Sequence, residues 1–136
     1  MAWLRAIPLL LFPAILYGVV AMTMDHGAVR GSLDEILVSF GLPSGAVFSA
    51  TRGHGLLMLT AAMLFIEVVK STSTSTSSIV ETCLAFVLFT AAFILFLLNP
   101  AFGTIEFALI TAMMLIDFMA GFIVMTISSR RDMAWA

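Results

Sequence analysis

Charge is what this chain has least of. Only 10% of its 136 residues are Asp, Glu, Lys or Arg, against 62% hydrophobic, too little polar side chain to coat a soluble globule of this size. A water-solvated fold is excluded, and lipid must be the solvent. The six basic residues stand singly or in pairs within a net charge of −2, which leaves no basic patch for nucleic acid. The single cysteine, Cys83, excludes an intrachain disulfide and, inside an apolar run, reads as a packing residue. Chemistry-bearing motifs are missing as well: there is no phosphate-binding glycine loop, no H-E-x-x-H or paired-cysteine site and no nucleophile elbow. The two histidines lack the second histidine per helix that haem ligation across a bundle uses. The chain is therefore expected not to be an enzyme and to carry no resident cofactor.

What is there is hydrophobic length. A hydrocarbon core about 30 Å thick takes roughly 20 apolar residues per helix, so the chain has room for four passes, short connections and no separate soluble domain. The expected fold is all-α, a four-transmembrane-helix bundle forming one membrane domain over 1–136. The first span covers about 5–24, with Arg5 before it and Pro13 expected to kink it. Ala21-Met22-Thr23-Met24-Asp25 lacks an A-x-A cleavage pattern, so this span is expected to be retained and not removed as a signal peptide. The second span covers about 52–70, with Arg52 and Lys70 snorkelling to the two headgroup layers. The third covers 79–98, opened by a Ser78–Glu81 capping box after the hydroxyl-rich run 71–78, a tight solvated link. Asn99-Pro100 turns the chain into a fourth span over about 104–127.

The longest connection holds an element of its own. Ser32 with Glu35 forms a capping box, and Leu33, Ile36, Leu37 and Phe40 fall at the i, i+3, i+4, i+7 spacing of one helical face. These predict a short amphipathic helix over 32–40, lying at the interface with Asp34 and Glu35 in water. Orientation follows the basic residues. Arg5, Lys70, Arg130 and Arg131 share one side and Arg30 and Arg52 the other, which places both termini in the cytoplasm and the long first loop outside. The composition is similar to that of small bacterial inner-membrane proteins.

A carboxylate at membrane depth costs roughly 3 kcal/mol or more on insertion scales, so each acid needs an explanation. Glu81 has its capping box, Glu106 the positive end of the fourth helix, and Glu67 an i, i+3 pairing with Lys70. Asp117 has none of these and sits among Met114, Leu115, Ile116, Phe118 and Met119. Glu106 and Asp117 are eleven positions apart, which puts them about 20° apart on one face and roughly 16 Å apart along it. Two readings stand for Asp117. Either it is a hydrogen-bonded structural acid, joined to a hydroxyl such as Tyr17, Thr60 or Thr90, or it belongs to a proton or cation path that needs several such groups around one axis. Small residues at helical spacing, Ala108 with Ala112 on one side and Gly121 with Asp117 on the other, give the fourth helix two packing faces.

Met22, Met24 and His26 close the first span, and His54 begins the second on the same side. Thioether and imidazole together suit Cu(I), which would make periplasmic copper handling a third function. The leading expectation is an accessory, assembly or scaffold subunit acting through helix packing, as a homo-oligomer or within a larger membrane complex. The alternative is a small oligomeric proton or cation channel or carrier built on Asp117. A hydroxyl sealing Asp117 favours the scaffold, and a hydrated cavity beside it favours transport.

Overall fold

Four apolar helices, a short polar one and a hairpin make up the fold, which a computed structural model describes over residues 7–72 and 77–134. Three of the helices are long and apolar enough to cross a membrane, α3 (Arg52–Ser71), α4 (Ser77–Leu98) and α5 (Ile105–Ala134), and they make the protein membrane-embedded. α1 (Leu11–Thr23) is apolar but only 13 residues long, about 20 Å of helix and less than a hydrocarbon core. α2 (His26–Leu33) is the short polar helix. Arg5, the link at 73–76 and the Ser78 side chain of the expected capping box lie outside the described residues.

α5 runs parallel to α3 and antiparallel to α4. Glu106 lies against Gly53 where α5 and α3 begin, and Thr82 near the start of α4 lies against Gly121 well along α5. A Cβ at position 121 would stand 2.7 Å from the Thr82 hydroxyl, so only glycine allows this approach, the small-residue contact that membrane helices use in place of a hydrophobic drive. Asn99 accepts from the Ala101 amide at 3.0 Å and caps a 3-10 turn over Pro100–Phe102. Thr104 then accepts from the Phe107 amide at 3.3 Å and opens α5. Proline at the first position of the turn and hydroxyl caps are what a helix reversal requires.

Pro13 does not kink α1. Helical geometry begins only at Leu11, so Pro13 occupies the first turn, where its missing N–H has no partner to lose. The first helix is correspondingly shorter than the 5–24 expected.

The amphipathic helix expected over 32–40 does not form, and with it goes the all-α description. Ser32 and Leu33 end α2, and the chain then forms an antiparallel hairpin of β1 (Ile36–Gly41) and β2 (Val47–Thr51), pairing Phe40 with Phe48 and Gly41 with Val47. Helical spacing over nine residues is weak against a run rich in β-branched and aromatic residues, Ile36-Leu37-Val38-Ser39-Phe40, that meets a partner of the same kind across a Pro-Ser-Gly turn. Gly45 in that turn has φ of +86°, a backbone state that favours glycine. The Ser32–Glu35 capping box is replaced by one that begins α3. Thr51 accepts from the His54 amide at 3.3 Å, and His54 Nδ1 lies 3.2 Å from the Thr51 amide.

Candidate functional site

The two ends of the bundle handle their polar groups differently. At the end nearer the hairpin, Tyr17 is buried between Phe102 and Phe107, with ring centroids at 5.6 and 4.9 Å. Its hydroxyl donates to the Ala101 carbonyl at 3.0 Å and lies 2.5 Å from Thr104 Oγ1. A hydroxyl carries one proton, so the chain has one direction: Phe107 amide to Thr104, Thr104 to Tyr17, Tyr17 to Ala101. Every member is satisfied, and the network locks the 3-10 turn onto α1.

At the other end, four charged side chains from three helices converge. Glu67 and Lys70 share a face one turn apart at the end of α3, Glu81 and Thr82 come from the start of α4, and Asp117 and Gly121 stand one turn apart on α5. Together with Pro8, Ser71 and Ala85 they line a cavity of about 20 Å³, room for one water molecule. Lys70 Nζ is 3.4 Å from Glu67 and 4.0 Å from Glu81. Glu67 is only 5% exposed and also accepts from the Leu9 amide, which ties the segment before α1 to α3.

Asp117 is 7% exposed and makes no hydrogen bond or close ion pair among the described residues. No fully buried side-chain oxygen there lacks a partner, so the Asp117 carboxylate must open onto the cavity. Among the described residues three acids and one lysine face it. A structural network of buried charges normally satisfies each member, and among the described residues this one gives Asp117 no direct partner.

None of the hydroxyls expected to seal Asp117 does so. Tyr17 is committed to the other end. Thr60, wholly buried, donates to its own helix at Leu56 at 2.7 Å, and Thr90 donates to Phe86 at 2.9 Å. Glu106 lies in the first turn of α5 beside Gly53, on the same helix as Asp117 but in a separate site. Lys70 shares Asp117's cavity because the helices differ in length. α5 has 30 residues and α3 has 20, so the middle of α5 is level with the last turns of α3. Between the two ends α5 carries the fully buried Ile110 and Met114, while Thr111 donates to its own helix at Phe107.

Gly121 makes the close contact described above, whereas Ala108 is half-buried and Ala112 exposed. Met22, Met24 and His26 are exposed around the junction of α1 and α2, and His54 is held in the Thr51 capping box. Among the described residues no group of three His, Cys, Asp or Glu stands close enough to hold a metal ion. Comparison with known protein families, with curated proteins and with solved structures finds no match.

Proposed function

We propose that this is a non-enzymatic, four-span membrane protein whose charged cavity takes up and releases a proton, acting as one subunit of a proton-carrying assembly. The observation that carries this reading is the buried Asp117 carboxylate, without a hydrogen bond or close ion pair among the described residues, opening onto a water-sized cavity shared with Glu67, Glu81 and Lys70. Among the described residues carboxylates outnumber cations there, and at low dielectric such an excess favours binding of one more positive charge. The acids do not converge as a metal-ligand set, and a proton is the cation that needs none. In this reading α1, with residues 7–10 before it, makes the fourth pass, and the excess of Lys and Arg on the side of the charged end favours the cytoplasm of a bacterial inner membrane for that end and both termini. With buried, apolar Ile110 and Met114 on α5 between the cavity and the hairpin end, a proton crosses only with a second subunit or a movement of α5.

A fluorescent pH indicator trapped in proteoliposomes tests this. The intact protein should conduct protons down an imposed gradient, and Asp117→Asn should abolish the flux while folding normally. Equal flux in both, or none in either, would remove the proposal.

A second reading, an accessory or scaffold subunit in a homo-oligomer or larger complex, draws on the exposed lane of Leu109, Ala112 and Ile116 on α5. It lies away from the Gly121 seam and offers a partner helix a face. Assembly that survives Asp117→Asn but fails with Ala112→Leu, without proton flux in the intact protein, would favour it.

A further inference from the structure

The hairpin carries a surface that neither reading uses. From Ile36 to Thr51 there is no charged residue, yet charges stand at both ends of the stretch. Asp34 and Glu35 precede it, Arg52 follows, and Arg52 pairs with Glu35 at 2.8 Å. Within it Ile36, Leu37, Val38, Phe40, Val47 and Phe48 are all exposed, Val47 to 75%. Neighbouring strand residues point to opposite faces, so both faces of the hairpin are apolar. A solvated hairpin on a soluble surface keeps one face polar, and an uncovered apolar one in water is a template for aggregation.

Its position says what covers it. The hairpin joins directly to the first residue of the membrane helix α3, the Arg52 amide donates to the Glu35 carbonyl at 2.9 Å, and Leu37 lies against Gly55 in the first turn of α3. Phe48 and Ala50 border a groove with His54, Leu57 and Met58 of α3. The hairpin thus leans along the helix, and its apolar surface continues into that of Met58, a residue 65% exposed on a membrane helix. Two strands leave open edges whose N–H and C=O groups hydrocarbon cannot satisfy, whereas headgroups and interfacial water can.

We propose that the Ile36–Thr51 hairpin is a membrane-interface anchor, seated in the headgroup–acyl boundary of the leaflet at the hairpin end. The ion pair of Glu35 and Arg52 marks its water-facing root, and Val47 and Phe48 reach toward the acyl chains. This does not depend on the proton reading.

Site-directed spin labelling of the full chain tests it, in vesicles of phosphatidylethanolamine and phosphatidylglycerol. Val47→Cys is labelled in a Cys83→Ala background, with Met58→Cys as the lipid-facing reference and Arg131→Cys as the water-facing one. The label at position 47 should collide with oxygen as the position 58 label does and be protected from a nickel chelate several-fold relative to position 131. Nickel access equal to that at position 131 would put the hairpin in water and overturn the proposal. Protection from both reagents would mean a protein covers it, with spin–spin broadening identifying a second copy, and would overturn it equally.

Discussion

Tyr17 and Asp117 are both buried polar groups inside an apolar bundle, and the contrast between their surroundings separates structure from candidate function. Tyr17 is the last donor in a directed chain of hydrogen bonds that ends at the Ala101 carbonyl, and every donor in it has an acceptor. Such a network stabilises one arrangement and has nothing left to exchange. Asp117 faces a cavity with two other acids and one lysine, and its carboxylate is left to solvent or a proton. Buried polarity alone marks neither as functional. What distinguishes them is whether the fold supplies the partner.

The largest expected effect tests the lysine on which the charged end depends. Lys70→Leu leaves Glu67 and Glu81 without the lysine that stands 3.4 and 4.0 Å from them, and stranding the buried Glu67 charge this way costs about 3 kcal/mol. Unfolding in mixed micelles should show the loss in Lys70→Leu and little of it in Lys70→Arg, which keeps the charge. An equal loss in Lys70→Arg would mean that Lys70 contributes its shape and not its charge.

Gly121→Ala comes next and tests the close contact beside the cavity. Its Cβ would meet the Thr82 hydroxyl at 2.7 Å, an overpacking of about 2 kcal/mol. Adding Thr82→Ala should restore most of the stability, and the absence of any rescue would show that the strain lies elsewhere. Tyr17→Phe at the satisfied end is the smallest of the three, costing about 1 kcal/mol for the hydroxyl's hydrogen bonds. Proton flux should be unaffected by Tyr17→Phe, and a Tyr17→Phe variant that lost flux would erase the distinction between the ends.

Much of this was legible in the chain itself. Runs of about 20 largely apolar residues declare α4 and α5, and a shorter one from Leu56 to Val69, flanked by Arg52 and Lys70, declares α3. Asp117 stands out because no cap or neighbouring turn explains it. The groups that share its cavity are not legible. Glu67 and Lys70 lie some fifty positions earlier, and placing them beside Asp117 requires knowing that α5 overruns α3. Judged from the middle of its own span, Asp117 looks level with Thr60 and Thr90, and that depth error led to the wrong hydroxyls. The hairpin was misread for a different reason. Its apolar run is too short for periodicity to separate helix from strand, while the Pro43-Ser44-Gly45 turn between two β-branched and aromatic segments was the signal that could have found it.

The central claim is that Asp117 exchanges a proton through the cavity. Infrared difference spectroscopy of the reconstituted protein across a pH step reads it directly. The account predicts a protonated-carboxyl band that appears on acidification, shifts in heavy water and is missing in Asp117→Asn. A spectrum without such a band, or one that Asp117→Asn leaves unchanged, would contradict it.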